Sequence, residues 1–145
     1  STVHWDDLLA TGCRLWGVAV DDAHWRDGDH DAGLGWVWVK AAELTEAAIV
    51  DALERGYFYA SSGPKIHSLE LEGDLLQVRC SPAVNVDFVG NAYYTERITA
   101  PPGETLTAAS HRLPKGQRYV RVACRDDLDS WAWSNPIYLD EWGPR

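Results

Sequence analysis

The stretch Gly17-Val18-Ala19-Val20-Asp21-Asp22-Ala23-His24 runs from a short apolar segment into two aspartates and a histidine. Residues two apart on an extended strand face the same side. Asp22 and His24 could therefore aim a carboxylate oxygen and an imidazole nitrogen at one point. That mixture of donors suits a divalent zinc, iron or manganese ion. Two protein ligands complete neither a closed tetrahedral site nor a three-ligand catalytic one, so partners are required. The rival reading is a strand-end turn in which Asp22 caps the backbone and His24 stays in water. His30, in Asp29-His30-Asp31, is the other histidine near this segment in sequence. It reads as an exposed loop residue within reach of such an ion. His4, His67 and His111 lie in other predicted elements.

The first sixty residues, which must position this pair, read as α/β. In Val3–Thr11, Trp5, Leu8 and Leu9 fall at helical spacing, and Gly12 is a C-terminal stop. Leu15–Val20 is a continuous apolar run, the pattern of a strand buried on both faces. A polar, glycine-containing loop follows over Trp25–Gly35, and Trp36–Val39 is a second short strand. Thr45 is the expected N-cap of a helix to Arg55, with Ile49, Ala52 and Leu53 on one face and Gly56 as its stop. Ser61-Ser62-Gly63-Pro64 is turn chemistry and marks a boundary between segments 1–62 and 63–145. Beyond it, short runs alternate apolar and polar residues: Ile66–Leu71, Leu75–Cys80, Val84–Val89, Glu96–Thr99, Thr105–Ala109, Arg118–Cys124 and Trp131–Leu139. Such spacing predicts an antiparallel β-sandwich of immunoglobulin-like type. The expected class is α+β, a short α/β segment followed by a sandwich.

Composition narrows the function. The chain has 145 residues and a formal net charge of -9. Nucleic acid and anionic membrane are polyanions, so neither is an expected partner. Asp21, Asp22, Asp27, Asp29 and Asp31 concentrate acid in one short stretch, which repels itself unless solvated or neutralised by cations. No apolar run approaches the ~18 residues of a membrane span, and no signal-peptide pattern is seen. Methionine is absent even at position 1, as expected of a fragment or processed product. The odd, sparse cysteines, Cys13, Cys80 and Cys124, point to a reducing, cytoplasmic compartment. A Cys80–Cys124 bridge across the sandwich is the alternative to free thiols.

Three blocks carry a family resemblance: GVAVDDAH; the helix followed by Gly56, Phe58, Tyr59, Ser62, Gly63 and Pro64; and Ala132-Trp133-Ser134-Asn135-Pro136-Ile137. Together they resemble the carboxyl-terminal part of polymerase and histidinol phosphatase (PHP) proteins. The closest branch is that of metallohydrolases with a small β domain after the barrel. The resemblance implies that Asp22 and His24 are the last metal ligands of a distorted βα barrel. Divalent zinc, manganese or iron would activate a hydroxide there for attack on a phosphoester. The family's opening His-x-His motif, middle carboxylate and further histidines are absent. The chain is then expected to carry the end of an active site and to be inactive alone. Its implied partners are the missing N-terminal barrel portion and, in the full-length protein, a small phosphorylated substrate. Leu15–Val20 and Trp36–Val39 would otherwise expose apolar faces, which must pack on the sandwich, meet that portion or join a second copy of the chain.

A different class of reading is a non-catalytic β-sandwich that binds carbohydrate or protein through aromatics. Trp36 and Trp38 share a strand face, as do Trp131 and Trp133. Their apolar, strand-like setting favours a place in the core or between the segments. No phosphate loop or Gly-x-Ser-x-Gly elbow is present, and Cys13 has no evident histidine partner.

Overall fold

The computed structural model describes residues 2–28, 30–91 and 94–139. It contains two helices and mainly antiparallel strands, an α+β sandwich. α1 spans Thr2–Ala10 and α2 spans Glu46–Glu54. Both end where glycines were expected to stop them. After α1, Gly12 N donates to Leu9 O and Cys13 N to Leu8 O. After α2, Gly56 N donates to Leu53 O and Tyr57 N to Ala52 O. This is the Schellman pattern, and Gly12 and Gly56 adopt the positive φ that it requires. Thr45 caps α2, accepting from Ala48 N at 3.3 Å.

The strands are β1 (Trp36–Val39), β2 (Phe58–Ser61), β3 (Ile66–Glu72), β4 (Leu75–Ala83), β5 (Asn85–Gly90), β6 (Thr95–Thr99), β7 (Leu106–Arg112), β8 (Tyr119–Arg125), β9 (Trp131–Ser134) and β10 (Ile137–Tyr138). The large sheet runs β1-β2-β9-β8-β5-β6, with β10 also paired to β8. The small sheet runs β3-β4-β7. β1 and β2 are antiparallel although a helix joins them. β2 pairs with β9, so the large sheet continues across the Ser61–Pro64 turn.

The alternation read from the sequence builds the core. Leu76, Val78 and Cys80 from β4 face Val86, Phe88, Val120, Val122 and Cys124 from β5 and β8 in one buried cluster. Cys80 and Cys124 are free and buried, one from each sheet. Trp131–Leu139, expected as one strand, is two, because proline has no N–H for a ladder and Pro136 falls between β9 and β10.

One expectation needs correction. Leu15–Val20 is not a strand. Its apolar side chains are largely uncovered, Val18 at 64% and Val20 at 75% exposure. A doubly buried strand needs neighbours on both edges and cover on both faces, and the described residues provide neither. Of the two places expected for the tryptophans, Trp131 and Trp133 take the one between the segments, beside α1 and Leu15–Val20, rather than the sandwich core. Trp131 and Trp133 alternate with buried Ala132, which pairs with core Cys124. They therefore stand on the outer face of the large sheet. Trp38 is 43% exposed, with Lys65 Nζ 5.2 Å from its ring centroid.

That outer face carries polar side chains that strand alternation would leave in water. α1 covers part of it instead. Arg121 donates from Nε and Nη2 to Asp6 of α1 at 2.8 and 2.6 Å. The Trp5 ring centroid lies 4.9 Å from its guanidinium carbon. Arg121 is consequently 3% exposed.

Candidate functional site

The three sequence blocks meet at Asn135. Its Oδ1 accepts from Gly17 N at 2.9 Å. Its Nδ2 donates to Gly56 O at 3.1 Å and Phe58 O at 3.0 Å. Trp16 Nε1 donates to Glu54 O at 3.1 Å, and the indole lies so close to Gly56 that an added Cβ would meet it at 2.7 Å. Ser62 and Trp131 exchange backbone and hydroxyl bonds at 2.8 and 3.0 Å. Ser61 Oγ bridges Pro64 O and Gly63 N. This junction holds the apolar segment, the end of α2 and the start of β2 against β9. Its polar groups satisfy one another.

Beyond the junction the chain passes through Leu15–Val20 into the Asp22–His24 loop. Asp22 has φ 52°, in the left-handed region, and lies on no strand. The strand alternation that would aim Asp22 and His24 together does not operate here. The loop is organised by other carboxylates. Asp21 Oδ2 accepts from Gly33 N. That bond is the largest influence on Asp21 and holds its carboxyl below the ordinary value of 3.8. Asp31 Oδ2 accepts from His24 N at 2.7 Å and lies 3.6 Å from His24 Nδ1. His30 is exposed on the same loop, while Asp29 lies outside the described residues.

No group of three or more His, Cys, Asp and Glu among the described residues is placed to hold a metal ion. The described residues do not fit a complete metal centre. Asp22 and His24 are exposed.

Two cavities adjoin this region. An apolar groove of about 610 Å³ runs along Leu15–Val20 and includes Trp5, Trp16, Leu34 and Trp133 in its walls. A polar cavity of about 450 Å³ lies on the outer face of the large sheet, bounded by Asp6, Asp87, Arg97, Arg121, Trp131 and Trp133. Arg97 donates to both Asp87 oxygens at 2.7 Å. That carboxylate raises the Arg97 guanidinium above its usual range. Sequence reasoning passed over Asn135, Arg121 and Asp6. Their partners are more than a hundred residues distant for two of these contacts, beyond any local pattern.

Comparison of the chain with family models, curated proteins and solved structures finds no match. No helix among the described residues is long and apolar enough to cross a membrane.

Proposed function

We propose that the chain is the C-terminal portion of a PHP-type metal-dependent hydrolase acting on phosphoesters. In this reading Asp22 and His24 supply the final ligands for divalent zinc, manganese or iron. An N-terminal barrel portion supplies the rest, and β3 to β10 form an appended sandwich of immunoglobulin-like type. The observation that carries the proposal is the uncovered apolar segment Leu15–Val20 leading directly into Asp22 and His24. Leu15, Trp16, Val18 and Val20 leave an apolar surface that isolated soluble domains rarely expose as one patch. Barrel strands would cover that surface and bring their own ligands to the same end. A cytoplasmic setting and a small phosphorylated substrate belong to the same proposal.

The test measures bound metal by plasma mass spectrometry and hydrolysis of p-nitrophenyl phosphate. The samples are the 145-residue chain and a longer product that includes the barrel portion. We expect metal and activity in the longer protein, both lost when Asp22→Ala and His24→Ala are combined. Metal and hydrolysis unchanged by that double substitution would remove Asp22 and His24 from the site. A longer product without metal would end the proposal.

A further inference from the structure

We propose that the cavity between α1 and the outer face of the large sheet binds a neutral, polyhydroxylated ligand of sugar size. Its volume, about 450 Å³, accommodates one or two sugar rings and lies within the usual range of ligand sites. The wall chemistry selects the class. Arg97 is paired with Asp87 and Arg121 with Asp6, so the two arginines and two aspartates balance in charge. An anion would meet both carboxylates, and a cation both guanidinium groups. A hydroxylated ligand can donate to the former and accept from the latter without adding charge. Thr2 and Thr95 add hydroxyls to the same wall.

Two further observations favour occupancy. Arg121 is 3% exposed, and its buried Nη1 has no hydrogen-bond partner among the described residues. Buried donors are nearly always satisfied. Arg121 borders the cavity, where a ligand oxygen is the partner this donor would take. The second is the parallel pair of Trp131 and Trp133, whose planes differ by 7° at a centroid distance of 6.2 Å. Both indoles line the cavity. Indoles present flat apolar area to the CH faces of sugar rings while leaving hydroxyls to the polar wall. The site uses neither Asp22 nor His24, so it stands or falls independently of the metal reading.

The test uses the 145-residue chain with methyl glucoside, methyl galactoside, N-acetylglucosamine, maltose and cellobiose, each to about 10 mM, where even millimolar affinity is visible. Glucuronate serves as the anionic comparison. Tryptophan fluorescence and indole N–H resonances report binding. We expect a saturable change with at least one neutral sugar. Thr95→Tyr fills the cavity from an exposed edge strand without touching the core, so the fold should persist. It should weaken binding about tenfold or more, a loss of about 1.4 kcal/mol. Arg121→Lys removes the fork while keeping the charge and should weaken binding in the same direction. No response to any neutral sugar overturns the proposal. So does binding of glucuronate alone, or sugar binding that Thr95→Tyr leaves unchanged.

Discussion

The Gly17 amide donates to Asn135 Oδ1 at 2.9 Å across 118 residues of chain. The same Asn135 side chain donates to the carbonyls of Gly56 and Phe58. One amide therefore ties the apolar segment, the end of α2 and the start of β2 to the break between β9 and β10. Replacing it by Ala leaves one N–H and two carbonyls without these bonds. We expect Asn135→Ala to cost about 1–3 kcal/mol. Denaturant unfolding followed by circular dichroism measures this. Faster exchange of the Gly17 amide would locate the loss.

Gly17 has a second constraint. A Cβ added there would lie 2.6 Å from the Trp5 ring. Trp5 is itself held by its Nε1 bond to Leu15 O and by Arg121 beneath the ring. Gly17→Ala must displace the indole or the segment, at about 1–3 kcal/mol. The measurement is the unfolding midpoint together with the Trp5 indole N–H resonance. An unmoved resonance at full stability would contradict the packing described.

The Asp21–Gly33 contact should depend on pH. The Gly33 amide holds the Asp21 carboxyl below its ordinary value of 3.8. A carboxylate depressed on folding stabilises the fold above its unfolded value and loses that contribution as pH falls through the folded one. The loop should stay closed at neutral pH and loosen only in acid below 3.8. Titration of the Gly33 amide shift by NMR should give a midpoint below that value. Asp21→Asn should abolish the titration. A midpoint at or above the ordinary value would refute the contact.

The cysteines should separate by reactivity. Cys13 is exposed, whereas Cys80 and Cys124 are buried. The Cys80 and Cys124 thiols share a side-chain hydrogen bond. That bond, with burial behind it, pushes Cys124 far above its ordinary range, while Cys80 is lowered by the same bond. Brief treatment with N-ethylmaleimide at neutral pH should label Cys13 alone, and denaturation should expose the other two. Intact and peptide mass spectrometry counts the adducts. Native labelling of Cys124 would contradict its burial.

For Asp22 and His24, exposure in this chain makes a separate expectation. Their joint replacement by Ala should cost about 1 kcal/mol, chiefly because Ala tolerates the left-handed φ of Asp22 less well than Asp does. Thermal unfolding of the chain checks this independently of metal. A large loss would mean that the loop braces the fold.

The parts readable from sequence were those governed by local rules. Period-two alternation located seven β segments, and Thr45, Gly12 and Gly56 bounded the helices. The reading of Leu15–Val20 failed because an apolar run specifies burial, while a strand also needs a neighbour to bond. β2 was missed because Phe58–Ser61 is short and three of its four residues are buried, leaving little alternation to read. Arg121 falls within the expected strand Arg118–Cys124. Its burial depends on Asp6, 115 residues earlier. Asn135 stood inside a conspicuous block, yet nothing local indicates that its amide reaches Gly17, Gly56 and Phe58. The candidate ligand pair was visible as residue types, whereas its geometry depends on a loop whose backbone the sequence pattern does not specify.

The pairing of β2 with β9 also sets an order of events. Ser61 meets Ala132, Asp6 meets Arg121, and Gly17 meets Asn135. Each contact joins an early part of the chain to a late one, and closing such loops is slow because their entropy is lost before contacts reward it. During synthesis β3 to β7 can assemble while Trp5, Trp16 and β2 still wait for β8 and β9. Residues 2–61 are then the last of those described to find their place. A ribosome that stalls before Trp131 would leave β2 without β9 and Gly17 without Asn135, exposed to chaperones and proteases.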